Sequence, residues 1–190
     1  MLVLFDIDDT LIDHTSAVAT GVASLFAELQ SLGPLDDFHQ TWITAMRRHF
    51  PRYLRGELSY EEQRRARLRQ TVDWRLTDSQ ADELFARYFE AYKAAWSLFP
   101  DVLPCLAALT PHALGIISNG NGDEQRSKLL RTGLAAHFQT AFISDEHGHA
   151  KPEAELFRLA CRTARRSSTT WPNCRWCSTR ATHRVVAVGT

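Results

Sequence analysis

The chain opens on an unbroken apolar run, Leu2-Val-Leu-Phe5, that meets charge at once at Asp6. A short continuous run of this kind predicts a strand buried on both faces of a parallel sheet. From Thr15, a candidate helix cap, the apolar positions Val18, Val22, Leu25, Phe26 and Leu29 recur at helical spacing until Gly33-Pro34. Residues 35–97 keep helical periods and show no strand pattern. Phe38, Trp42 and Met46 form one stripe. Ser59-Tyr-Glu-Glu62 and Thr77-Asp-Ser-Gln80 are capping-box starts, the second followed by Ala81, Leu84, Phe85, Tyr88, Phe89 and Tyr92. After Pro100 the pattern alternates. Val102, Leu103, Leu106 and Leu109 predict a helix and Leu114-Gly-Ile-Ile117 a strand. Residues 123–133 read as a helix with Leu129 and Leu130, stopped by Gly133. Ala141-Phe-Ile143 is a third strand, and Pro152 opens a helix through Leu156, Phe157 and Leu159. This order predicts an α/β fold, a Rossmann-like parallel sheet core with an inserted helical cap. The core takes residues 1–14 and 98–190, and the cap residues 15–97.

Composition narrows the reading. The chain has 190 residues, 44% hydrophobic and 23% charged, enough apolar mass for a packed core. No apolar run approaches the roughly 18 residues of a membrane span. The apolar start reaches Asp6 too soon for a signal peptide, so a cytoplasmic protein without membrane partners is expected. The zero net charge hides an asymmetry: residues 162–190 hold six Arg and no Asp or Glu, while residues 1–161 hold 16 basic and 22 acidic residues. An acidic body argues against a nucleic-acid partner. The run Arg64-Arg65-Ala66-Arg67 with Arg69 reads as a solvated helix face, or else as a basic rim that attracts an anionic substrate. Cys105 reads as a small buried residue. Cys174-Arg-Trp-Cys177, with only His183 nearby, falls short of a zinc ligand set.

Carboxylates crowd the end of the first strand in Asp6-Ile-Asp8-Asp9-Thr10. Open parallel sheets bind ligands at the carboxyl ends of their strands. Crowded carboxylates repel, and a cation relieves them. Asp6 and Asp8, two apart in extended chain, face one side, so one can attack while the other handles protons. Asp9 and Asp13 read instead as turn and helix-capping residues. Ser118-Asn119-Gly120 after the second strand is either an ordinary turn or a phosphate cradle. Lys151, ahead of Pro152, is either solvated or reaches back over the strand ends.

Taken together, Asp6-Ile-Asp8-Asp9-Thr10-Leu11, Ser118-Asn119-Gly120 and Lys151-Pro152 resemble the first three motifs of the haloacid dehalogenase superfamily. The insert between the first two resembles its helical cap. The wording looks most like that superfamily's small-molecule phosphatases. The resemblance implies a nucleophilic Asp6 that forms an aspartyl-phosphate, and an Asp8 that protonates the leaving oxygen and then activates water. It implies Mg²⁺ on Asp6 and the Asp8 carbonyl, and substrate held by Thr10, Ser118, Asn119 and Lys151. The substrate would be a small phosphorylated metabolite. Dehalogenase members lack an acid at the place of Asp8, so its presence favours phosphoryl transfer. A phosphotransferase or mutase on the same scaffold would differ only in the acceptor.

The resemblance implies a fourth, acidic motif, and no Asp or Glu follows Glu155. Val185-Val-Ala-Val188-Gly189 reads like the strand that would precede it, with Thr190 where the acid should stand. Either the reading frame shifts near residues 162–166, or the tail is a divergent segment with a strand of its own. In both cases a catalytically impaired, phosphate-binding relative is the alternative. Asp145 or Glu146 could replace the missing acid only if the third strand carries them to Asp6. Cap residues His14, His49, Arg52 and Arg55 are candidates to face the site. An exposed sheet edge would invite a homodimer.

Overall fold

The computed structural model describes residues 2–30, 33–166, 175–176 and 185–189. The chain divides into two compact units, residues 1–13 with 97–190, and residues 14–96. The first is an α/β unit of Rossmann-like type. Strands β1 (Leu2–Phe5), β2 (Ala113–Ser118) and β3 (Thr140–Ile143) pair in parallel, β2 in the middle. Every residue of β1 is buried, and so are the last five of β2, which is why both read as unbroken apolar runs. One face of the sheet packs Leu2, Leu4, Ile117 and Phe142 against Leu156 and Ala160 of α8 (Ala154–Arg166). Helix α5 (Val102–Ala108) buries Val102 and Leu106, and α6 (Gly122–Arg131) follows β2. Gly133, at φ 78°, ends α6 and leads into a 3-10 turn over Leu134–His137. Helix α7 (Ser144–His147) follows β3 directly.

Two further strands extend the sheet beyond β1, giving the order β3-β2-β1-β5-β4. They are β4 (Arg175–Trp176) and β5 (Val185–Gly189), and β5 runs antiparallel to β1. The strand expected in the tail therefore exists, but in the opposite direction. Val188 pairs with Leu2 and Val185 with Phe5, so the carboxyl end of β5 lies beside the amino end of β1. The carboxyl end of β5 therefore lies at the opposite end of the sheet from Asp6. Cys174, Cys177 and His183 lie outside the described residues.

The second unit is a helical bundle of α1 (His14–Glu28), α2 (Leu35–Leu54), α3 (Tyr60–Thr71) and α4 (Asp78–Ala94). Helix α1 starts at His14, so Thr15 lies inside it and is not its cap. Both capping boxes form: Ser59 with Glu62 opens α3, and Thr77 with Gln80 opens α4. Each cap is worth about 1 kcal/mol. The core joins Val18, Val22 and Leu25 of α1 to Trp42, Leu68, Phe85, Tyr88 and Tyr92. Trp42 is fully buried and lies tilted against Tyr88 at 4.3 Å between centroids. The arginine run is no solvated face. Arg65 and Arg69 pair with Asp78, and Arg65 also with Asp82, across the α3–α4 join. Arg64 lies over Phe85 at 3.9 Å, and the buried Arg67 lies over Trp42 at 4.7 Å. Guanidinium planes stack on rings where an ammonium would be left to water.

Cys105 is exposed, contrary to the burial expected from its surroundings. The helical period places it off the stripe of Val102 and Leu106 that α5 buries. Among the described residues no helix is long and apolar enough to cross a membrane.

Candidate active site

Three chain segments converge at the carboxyl ends of β1, β2 and β3. Asp6 follows β1 and receives three donors on one oxygen. The Ile7 N–H lies 2.8 Å from Oδ1, the Ser118 hydroxyl 3.1 Å and the Lys151 ammonium 2.7 Å. Asp6 Oδ2 accepts no hydrogen bond among the described residues and is the oxygen left open. Burial pushes the Asp6 carboxyl above its ordinary range. Lys151 pulls it back, the Asp8 charge adds to the rise, and the Ile7 N–H opposes it.

The reach of Lys151 is set by Asn119. Its Nδ2 donates to the Lys151 carbonyl at 2.9 Å, and its Oδ1 accepts the Lys151 N–H at 2.7 Å. The amide is thus committed on both atoms to the main chain that carries Lys151, whose peptide to Pro152 is cis. Helix α8 begins at Ala154, two residues later than the proline suggests. Gly120 sits at φ 135°, a conformation L side chains rarely adopt, and a Cβ there would meet Gln125 Nε2 at 3.1 Å. Its N–H donates to the Ser144 hydroxyl at 2.9 Å, which ties the turn after β2 to the end of β3.

Asp8 lies in the turn that follows β1. Asp9 takes φ 54° there, and the Asp9 and Ile12 amides close the turn onto the Ile12 and Ile7 carbonyls. Thr10 is half-buried, and its N–H donates to the Ile7 carbonyl at 3.3 Å. No side-chain hydrogen bond joins Thr10 to the other candidates among the described residues. Two residues that sequence reasoning missed hold Asp8. Lys128 Nζ lies 2.8 Å from Asp8 Oδ1, and Gln125 Nε2 donates to Asp8 Oδ2 at 2.9 Å. Lys128 is 1% exposed and also contacts Glu124 at 3.1 Å. Burial pushes its ammonium down, but Asp8 and Glu124 outweigh burial and hold it above the ordinary lysine range. Gln125 Nε2 further contacts Ser118 Oγ at 3.1 Å and the Asn119 carbonyl at 2.9 Å. The available signal was the pattern of α6. It buries Gln125, Lys128 and Leu129, while Leu130 is 70% exposed, so the helix faces inward with polar residues.

Asp145 and Glu146 are used elsewhere. Asp145 Oδ2 accepts from Asn121 Nδ2 and the Gly122 N–H, both at 3.0 Å, at the start of α6. Glu146 forms a two-point pair with Arg126 at 2.5 and 2.7 Å. Among the described residues, no group of three or more His, Cys, Asp or Glu could hold a metal ion. The donor set still fits magnesium in part. Asp6 offers an open carboxylate oxygen in a place where burial penalises its charge, and Asp8 offers a main-chain carbonyl. Magnesium takes such oxygens and keeps several waters.

Three parallel strands bring a carboxylate pair, a serine and a lysine to one end of the sheet. The chain belongs to the haloacid dehalogenase-like hydrolases, whose family model matches residues 1–189. It is 31% identical to the ribulose-1,5-bisphosphate 5-phosphatase of Halopiger xanaduensis, over 83% of this chain and 68% of that protein. Over 83 residues it is 39% identical to the phosphoserine phosphatase of Thermus thermophilus, covering 43% of this chain and 33% of that one. The chain thus matches only a third of that relative's length. Among solved structures it shares its fold with a magnesium-bound HAD-hydrolase, YfnB, from Bacillus subtilis. The TM-score is 0.71, with 23% identity over 84% of this chain and 71% of that one. A 2-haloacid dehalogenase from Pseudomonas syringae aligns at TM-score 0.58 with 28% identity, over 86% of this chain and 72% of that one.

Proposed function

We propose that the chain is an Mg²⁺-dependent phosphatase of small phosphate monoesters, nucleotide or sugar phosphates, that works through an aspartyl-phosphate on Asp6. The observation that carries this is the convergence of Ser118 and Lys151 on one oxygen of Asp6, with its other oxygen open and Asp8 two residues on. The likeness to phosphatases that act on phosphate esters supports it. The dehalogenase likeness supports the scaffold. Asp8, an acid where a carbon-attacking relative needs none, supports the phosphoryl reading over the halide one.

In this reading the Asp6 carboxylate attacks phosphorus, an O–P bond forms, and the bond to the alcohol oxygen breaks. Asp8 gives the alcohol oxygen its proton. The same carboxylate then takes a proton from the water that attacks the aspartyl-phosphate, which frees phosphate and restores Asp6. Ser118 and Lys151, which hold Asp6 Oδ1 in the resting structure, turn to the phosphoryl oxygens as charge shifts onto them. Magnesium on the Asp6 carboxylate and the Asp8 carbonyl would supply positive charge between nucleophile and substrate.

The second reading is a relative that binds phosphate without turnover. It is favoured by the absence of a three-acid metal group among the described residues. Hydrolysis of p-nitrophenyl phosphate with and without Mg²⁺, beside Asp6→Asn, separates the two. Activity that requires both Mg²⁺ and Asp6 supports the phosphatase. A folded chain that binds inorganic phosphate but hydrolyses nothing supports the second reading. Activity unchanged in Asp6→Asn rules out the aspartyl-phosphate mechanism.

A further inference from the structure

Gln125 Nε2 carries two hydrogens and faces three acceptors: Asp8 Oδ2 at 2.9 Å, Ser118 Oγ at 3.1 Å and the Asn119 carbonyl at 2.9 Å. One acceptor can leave without exposing a buried N–H. The Ser118 hydroxyl is buried and the Asn119 carbonyl is fixed by its own strand end, so the acceptor free to leave is the Asp8 oxygen, whose side chain is 26% exposed. The other oxygen of Asp8 has no such freedom. It faces Lys128, an ammonium with donors only, buried between Asp8 and Glu124. Protonating the oxygen that faces a buried ammonium would weaken that ion pair, whereas Oδ2 faces an amide that has other acceptors, so the hydrogen is favoured on Oδ2.

We infer that Asp8 Oδ2 is the oxygen that exchanges protons with substrate and water, and that Gln125 is the positioning residue that holds and releases it. The inference rests on the phosphatase reading and deepens it. In the resting state Gln125 aims Oδ2 while Lys128 fixes Oδ1, so the carboxylate plane is set from both sides. When the leaving alcohol oxygen arrives, the Oδ2–H bond breaks and an alcohol O–H bond forms. Gln125 meanwhile keeps its two hydrogens on Ser118 and the Asn119 carbonyl. A side chain of equal length without donors would leave Asp8 Oδ2 unaimed, while Ser118 keeps its bond to Asp6.

The test compares Gln125→Met and Gln125→Glu with the wild-type chain on two esters, read as kcat/KM, which reports the steps up to alcohol release. The p-nitrophenolate leaving group needs no proton, whereas the alcohol of glycerol 2-phosphate does. The expected result for Gln125→Met is a loss of about 10- to 100-fold on glycerol 2-phosphate. On p-nitrophenyl phosphate the same variant should lose under about 3-fold, with unchanged far-UV circular dichroism. Gln125→Glu, which sets a carboxylate against Asp8 Oδ2, should lose more on glycerol 2-phosphate than Gln125→Met. An equal loss on both esters, or no loss on glycerol 2-phosphate, overturns the positioning role and leaves the phosphatase intact. If one variant fails to fold, the leaving-group ratio of the other decides. A wild-type chain that hydrolyses neither ester sinks the phosphatase reading, and this inference with it.

Discussion

Lys128 Nζ stands 2.8 Å from Asp8 Oδ1, although 120 residues of chain separate the two. The ammonium is almost wholly buried, and burial alone would make it neutral. It stays charged because Asp8 and Glu124 both face it. A buried cation held by two acids fixes the turn after β1 against α6.

Removing that cation should cost stability as well as activity. Lys128→Met leaves two acids facing an apolar side chain. Breaking a buried pair costs about 3–5 kcal/mol, and the lower end applies because Asp8 is partly exposed. Urea unfolding should show a loss of unfolding free energy of that size, with the double variant Lys128→Met, Asp8→Asn recovering part of it.

Lys151 should matter to chemistry more than to folding. Its Nζ contacts Asp6 Oδ1, while its stem is held through its own main chain by Asn119. Loss of one preorganised donor to developing charge costs about 10²–10³-fold in kcat. Lys151→Met should show a loss of that order with a small change in thermal midpoint. A comparable activity in Lys151→Met would remove this residue from the site.

Gly21 in α1 packs against the Tyr88 ring. A Cβ there would meet Tyr88 Cε2 at 2.7 Å and Cδ2 at 2.9 Å. Tyr88 is itself buried between Trp42, Phe85 and Tyr92, so the ring has nowhere to move. Gly21→Ala gains about 1 kcal/mol of helix propensity. Overpacking of about 1–3 kcal/mol outweighs it, and thermal unfolding should fall by several degrees.

The helical unit should lose stability toward acid through His49. Burial lowers the His49 pKa first. The Gln70 hydrogen bond at 3.0 Å opposes this, and Arg48, Arg52 and Arg67 add to the lowering. A folded pKa below the unfolded value of 6.5 means the unfolded chain takes the proton first. The His49 contribution is therefore complete above pH 6.5 and is lost as pH falls through the lowered folded value. His49→Gln should flatten that part of the stability profile below about pH 6.5, measured by urea unfolding at each pH.

Much of this protein was legible from local pattern. Leu2–Phe5 and Leu114–Ile117 are apolar without interruption because a central parallel strand is buried on both faces. The capping boxes at Ser59 and Thr77 form as spelled, because a cap uses only neighbours in sequence. Asp6, Ser118 and Lys151 could be placed at three strand ends, since the end of an apolar run marks the edge of a sheet. What the sequence determined, then, was mainly those features whose cause lies within a turn or two of chain. Tertiary structure decided the rest. The Arg64–Arg69 run looks solvated until α4 brings Asp78, Asp82 and Phe85 against it. The apolar β5 reads as one more parallel strand, yet pairs antiparallel, because hydropathy carries no direction. Lys128 and Gln125 look like the polar side of α6 and are instead its core. A buried polar residue is told from a solvated one only by its partner, and theirs is Asp8, more than a hundred residues away in the chain.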